Sequence, residues 1–210
     1  YESCSYAPDY SGPDWYVDSI GNDLSGNGSS EYPFATISHA LDQIPSDPSS
    51  PGTGVIHVGE GTFTENISIY NQNVSIIGQG LSSTIIDGSG DDYRVFEMIS
   101  AFWGNNRNVT LQDLKITNGN ANTDGGGAIK SEYTNLILDN VHITGNSTYS
   151  SSQGGALYIS TSNLIIRNSL IEGNFTDNPN DDGTPESGVV GGISLANSSA
   201  QIENSTIVGN

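Results

Sequence analysis

Residues 126–146 read G-G-A-I-K-S-E-Y-T-N-L-I-L-D-N-V-H-I-T-G-N, and residues 154–174 read G-G-A-L-Y-I-S-T-S-N-L-I-I-R-N-S-L-I-E-G-N, two segments that align without a gap. A third copy, G-G-I-S-L-A-N-S-S-A-Q-I-E-N-S-T-I-V-G-N at 191–210, fits with one deletion, and N-V-T-L-Q-D-L-K-I-T-N-G-N at 108–120 is the back half of a fourth. Val109, Leu136, Leu164 and Ala200 form one apolar column across the copies. Leu111, Leu138, Ile166 and Ile202 form the next, two residues on, and Ile116, Ile143, Ile171 and Ile207 a third. A spacing of two marks a strand with one buried face. A column that stays apolar from copy to copy means that like faces stack, as in a solenoid. Asp113, Asn140, Asn168 and Asn204 share a turn column, where stacked amides are expected to bond from rung to rung.

Outside the repeats the pattern differs. Residues 1–14 carry Pro, Ser and Gly without periodicity and read as a surface leader. Trp15-Tyr16-Val17 reads as a short strand, followed by a Gly/Ser/Asn loop to Glu31. Pro33 is expected to open a helix over 34–44, with Ile37, Ala40, Leu41 and Ile44 as its apolar stripe and Pro45 as its stop. From Val55 onward short β-branched runs (55–58, 74–77, 84–86) alternate with Gly and Asn. The expected organisation is a leader (1–14), an N-terminal cap (15–53) and a solenoid (54–210).

The fold class these observations predict is all-β: a right-handed, single-stranded parallel β-helix of about six coils, roughly 25 residues each, with a short capping helix. At this point the chain resembles a known superfamily. Y-V-D-S-I-G-N-D-L-S-G-N-G-S-S-E-Y-P-F-A-T-I-S-H-A-L (16–41) is similar to the opening segment of pectin-lyase-like β-helix proteins, and V-I-H-V-G-E-G-T-F-T-E-N-I-S-I (55–69) to their first coil. The resemblance implies a fold rather than one activity, since the superfamily includes lyases, hydrolases, adhesins and surface proteins.

Composition limits the partners. The chain has 210 residues, with 24 Asp and Glu against 5 Lys and Arg, a formal charge of −19. Phosphate-backbone binding and attachment to an anionic membrane both need the cations that this chain lacks. No apolar run approaches the roughly 18 residues of a membrane span. Cys4 is the sole cysteine and forms no internal disulfide. The start at Tyr1 is expected of a mature or excised segment.

Candidate chemistry is sparse. Lyases of the resembled superfamily use an Arg or Lys base beside a cation-bound carboxylate, and its hydrolases use several Asp residues with a G-H-G motif. The nearest constellation to the first is Arg94 with Asp91 and Asp92; G-H-G does not occur. Arg167 shares a column with Asp139 and Glu203 and reads as an inter-rung charge ladder, while Lys115 stacks with His142 on a solvated face. His39, His57 and His142 are too far apart for a zinc site. The 175–190 insertion places Asn178, Asn180, Asp182 and Glu186 at calcium-loop spacing, without the final bidentate acid, so calcium is the one candidate ion and no cofactor is required. Trp103 and Tyr149 are candidate glycan contacts. N-x-S/T sequons at Asn27, Asn66, Asn73, Asn108, Asn146, Asn174, Asn197 and Asn204 are candidate glycosylation sites.

The function expected from sequence is a secreted or cell-surface, non-catalytic module for structure, adhesion, glycan contact or assembly; the alternative is a polysaccharide lyase or glycoside hydrolase. Expected partners are a glycan or another surface protein, with neither nucleic acid nor membrane insertion. The repeats stop at Val208-Gly209-Asn210 without a capping segment, which predicts either a longer β-helix or end-to-end self-association through Ile202 and Ile207.

Overall fold

The computed structural model describes residues 7–89, 93–101, 106–122, 124–149, 154–177 and 190–210. Strand β1 (Asp14–Val17) and helix α1 (Ile37–Leu41) precede six coils. The first coil holds β2 (Thr53–Val58), β3 (Gly61–Thr64) and β4 (Ile67–Tyr70), and the second β5 (Asn73–Ile77), β6 (Thr84–Asp87) and β7 (Phe96–Ile99). The third holds β8 (Arg107–Thr117), β9 (Asn120–Ala121) and β10 (Ile129–Glu132), and the fourth β11 (Thr134–Thr144), β12 (Ser147–Tyr149) and β13 (Leu157–Ser160). The fifth holds β14 (Asn163–Arg167), β15 (Leu170–Glu172), β16 (Phe175–Asp177) and β17 (Ile193–Ala196), and the sixth β18 (Ser199–Glu203) and β19 (Thr206–Val208).

Each strand pairs in parallel with its counterpart one coil away, giving a long sheet (β1-β2-β5-β8-β11-β14-β18, with β3, β6, β15 and β19 alongside), a five-stranded sheet (β4-β7-β10-β13-β17) and a three-stranded sheet (β9-β12-β16). This is the right-handed parallel β-helix that the repeats predict. The apolar columns are in the expected register: Leu136 pairs with Val109 and Leu164, Leu138 with Leu111 and Ile166, and Ile143 with Ile116 and Ile171. The middle column extends upstream through Ile76 and Ile56 to Trp15. All of its members are buried except Ile202 of the sixth coil, which is 48% exposed.

Two features of the repeat explain its recurring glycines and asparagines. Gly126 and Gly154 adopt φ of +85° and +77°, a conformation that side chains disfavour, and a Cβ on Gly127 would lie 2.2 Å from the Ser147 carbonyl oxygen. Asp113, Asn140, Asn168 and Asn204 all adopt φ near +50°, at 55°, 51°, 51° and 48°. They form the same corner in the third to sixth coils, a left-handed position that Asn and Asp tolerate. This corrects the expected amide stack in that column. Asn140 does bond Asp113, but Asn168 Nδ2 turns to Asp139 Oδ1 at 2.9 Å. Continuous amide ladders run elsewhere: through Asn146–Asn174–Asn210, each Nδ2 donating to the Oδ1 of the next at 2.9 and 2.8 Å, and through Asn108–Asn135–Asn163, each Nδ2 donating to the Oδ1 of the coil before at 2.9 Å.

The helix is also shorter than expected. It spans five residues with Thr36 as N-cap, not 34–44. Phe34 is held in an extended bridge to Val17, so Pro33 and Phe34 lie outside it. The coils close both ends of α1. Glu65 accepts from the N–H groups of Ile37 and Ser38 at 2.8 and 2.9 Å, and Gln72 Nε2 donates to the carbonyls of Leu41 and Ile44. Asp23 accepts from the N–H groups of Ala35 and Thr36 and from the Thr36 hydroxyl, tying the loop to the cap. Tyr10 packs edge-on against Trp15, beside the point where Val55 N–H meets the Pro13 carbonyl.

Candidate functional site

Alternation on the five-stranded sheet turns Phe96, Met98 and Ile129 into the core and leaves Glu97, Lys130 and Glu132 on its outer face. The register aligns Glu97, Lys130 and Tyr158 on three successive strands, and Tyr70, Ile99 and Glu132 in the neighbouring outward row. Arg94, just before β7, reaches the same place. Its guanidinium bonds Glu97 Oε1 at 2.6 Å, the Asp124 carboxylate, and the Asp124 carbonyl at 3.1 Å. Lys130 Nζ lies 2.5 Å from Asp124 Oδ2, 3.2 Å from Glu132 Oε1 and 3.9 Å from Glu97 Oε1.

The cluster is layered by exposure. Arg94 and Lys130 are 11% and 12% exposed, while Glu97 and Asp124 are 38% and 45% exposed. Cations therefore lie beneath and carboxylates above. Burial opposes ionisation of Asp124, but hydrogen bonds from Lys130 and Arg94 outweigh it and bring its pKa from 3.8 to about 2. Burial likewise lowers the pKa of Lys130, and its bonds to Asp124 and Glu132 overcome that and raise it. Glu97 is held by Arg94 with Lys130 further away, and is the less constrained of the two exposed carboxylates. An ionised carboxylate beside buried cations can take a proton from water, and the cations can stabilise negative charge developing on a nearby oxygen. Successive strands lie about 4.8 Å apart, so a polymer running along the helix axis crosses this face rung by rung, past Tyr70 and Tyr158.

Of the sequence candidates, Arg94 is in this cluster, with Glu97 and Asp124 as its partners. Asp91, Asp92 and Trp103 lie outside the described residues, as do Asn178, Asn180, Asp182 and Glu186 and the side chain of Tyr149. Among the described residues no group of three or more His, Cys, Asp and Glu side chains is arranged to hold a metal ion. Arg167 pairs with Glu203 at 3.3 Å, but among the described residues no ion pair joins it to Asp139, whose carboxylate accepts from Asn168, so only the upper half of the expected charge ladder forms. Lys115 is level with His142, which contacts Glu172 at 3.2 Å. The sequons divide. Asn66, Asn108, Asn197 and Asn204 are exposed; Asn27 and Asn73 are half-buried and hydrogen-bonded. Asn146 and Asn174 are 0% and 1% exposed with their amides in the ladder, so the folded chain offers no glycosylation site at either.

Sequence reasoning passed over Glu97, Asp124 and Glu132. The signal was available: aligning 94–99 with 127–132 puts Glu97 and Lys130 in one outward column.

Comparison with known proteins adds the family. The family model described as Pectinesterase matches residues 24–175. A probable pectinesterase/pectinesterase inhibitor 17 of Arabidopsis thaliana is 39% identical over 70 residues, which is 33% of this chain and 12% of that protein's length. Among solved structures, a pectin methylesterase mutant in complex with a hexasaccharide aligns over 94% of this chain and 67% of its own, at 16% identity and a TM-score of 0.47. The pectin methylesterase of Aspergillus niger aligns over 98% and 88%, at 12% identity and a TM-score of 0.40. The family match overturns the expected non-catalytic adhesion or structural module, and with it the lyase or hydrolase alternative.

Proposed function

This chain belongs to the pectinesterase family, and from that premise we propose that it is a carbohydrate esterase, removing methyl groups from the esterified uronates of a pectin-type polysaccharide. The observation that carries the reading to a site is the Arg94–Glu97–Asp124–Lys130 cluster on the outer face of the five-stranded sheet. Glu97 acts as general base. Water adds to the ester carbonyl carbon as its proton passes to Glu97, and the oxyanion forms beside Arg94 and Lys130. The bond to the methoxy oxygen then breaks, and methanol leaves with the proton from Glu97. Asp124 is held ionised by both cations and positions them. No metal enters any step.

Charge supports the substrate class. A body of −19 repels a polyuronate, but a methyl-esterified uronate is uncharged, so the penalty arises only as product accumulates. A polymer of this kind fits an extracellular location. The test is to incubate the chain with highly methyl-esterified polygalacturonate and measure methanol. Methanol release without absorbance near 235 nm or new reducing ends is expected; unsaturated or shortened products in its place overturn the reading.

A further inference from the structure

On the long sheet, where the N-terminal cap meets the first coil, a second site is built. β1 and β2 pair so that Tyr16 lies level with His57 on the outer face of the long sheet, and their rings stack with centroids 4.9 Å apart at 20°. Beside this pair opens a cleft of about 180 Å³, walled by Pro33 and Ser30 of the cap loop and by Asp18 and Gln79. The loop is fixed there by backbone bonds from Tyr16 N–H to Gly28 O and from Phe34 N–H to Tyr16 O, both 2.9 Å. Gly59 forms part of the lining, and a Cβ added to it would lie 2.7 Å from Asp18 Oδ2. The glycine is what lets that carboxylate occupy its place.

Asp18 Oδ1 accepts from Ile20 N–H at 3.0 Å. Among the described residues, Asp18 Oδ2 and the Gln79 side-chain amide make no hydrogen bond, so an acceptor and an amide remain unused at the rim. A fixed aromatic pair, a proline wall and convergent polar groups are the ingredients of a sugar site, in which C–H faces lie on rings and hydroxyls meet polar rims. The volume suits one ring; sites enclosing larger ligands run to several hundred Å³. Asp18 and Asp14, the latter 3.7 Å from His57, make the cleft unfavourable to an anion.

We propose that this cleft binds a single neutral pyranose unit of a glycan, separately from the cluster on the five-stranded sheet and without reference to catalysis. A plain hexose and a methyl-esterified uronate share that chemistry. The test is amide chemical-shift titration of the ¹⁵N-labelled Glu97→Gln chain, in which the esterified probe outlasts the titration, with three probes: galactotriose, fully methyl-esterified trigalacturonate and the free-acid trigalacturonate. Either neutral probe should perturb Tyr16, His57 and Gln79, and which of them does so identifies the source. The free acid should bind at least about tenfold more weakly. Tyr16→Ala should weaken the neutral probe by about tenfold, and Gln79→Ala, which leaves the ring stack intact, by about threefold. No perturbation at these residues by either neutral probe up to about 10 mM, tighter binding of the free acid, or affinities unchanged in Gln79→Ala would overturn the proposal.

Discussion

The Asn146 side-chain amide donates to Asn174 Oδ1 at 2.9 Å, and the same oxygen also accepts the Asn146 backbone N–H at 3.1 Å. One buried oxygen thus satisfies two donors of the coil below. Asn174 in turn donates to the carbonyls of Ile143 and Glu172, both at 3.1 Å. Replacing Asn174 by Ala should leave several buried partners unsatisfied and lower stability by about 2–4 kcal/mol. Urea unfolding measures this, and a loss under about 0.5 kcal/mol would mean that the ladder is not a structural element.

Ser131 presents the opposite case. It is fully buried in the column Ile69–Met98–Ser131–Ile159, and its hydroxyl has no partner among the described residues. Ser131→Ala removes an unpaired polar atom from an apolar column. The variant should be as stable as the parent or more so, by up to about 1 kcal/mol in the same unfolding assay; a clear loss would show that the hydroxyl is bonded in solution.

Adjacent residues of β14 should behave differently. Ile166 is fully buried, so Ile166→Ala should cost about 2–5 kcal/mol. Arg167 and Glu203 are 41% and 46% exposed, so Arg167→Ala should cost less than about 1 kcal/mol. Equal losses would contradict the register.

The low pKa of Asp124 fixes the sign of a pH effect. Its folded value, about 2, lies below its ordinary 3.8, so the stabilisation is present above pH 3.8 and is lost as pH falls toward 2. Because the side chain is 45% exposed, solvent screening keeps the effect to about 1 kcal/mol or less. Stability measured between pH 2 and pH 5 should rise less steeply in Asp124→Asn than in the parent. Identical slopes would remove Asp124 from the account.

The fold was legible because stacking imposes its period on the sequence. Leu138 and Ile166 had to be apolar in the same column for their coils to bury each other. The corner asparagines were visible as a column, but not their role: a left-handed φ and a stacked amide select the same residue types. Helix length was misread because the apolar stripe from Ile37 to Ile44 continues beyond the hydrogen-bonded turn, while Phe34 is claimed by β1. The site was harder to see. Arg94, Glu97, Asp124 and Lys130 come from two coils and converge only through register. Looking for an Arg beside calcium ligands, or for G-H-G, tested for elimination and glycosidic cleavage. Ester hydrolysis by a carboxylate beside cations needs neither pattern, so their absence did not bear on it.

The most direct test of the account is acid release from highly methyl-esterified polygalacturonate at constant neutral pH, comparing the parent chain with Glu97→Gln. Glu97→Gln keeps the size of the side chain and an oxygen that can face Arg94, so circular dichroism and the unfolding midpoint should match the parent. The account predicts steady release of one acid per methanol by the parent and at least about a hundredfold lower kcat in Glu97→Gln. Undiminished acid release by a folded Glu97→Gln would contradict the placement of the chemistry on this face, and no release by the parent would contradict the esterase reading itself.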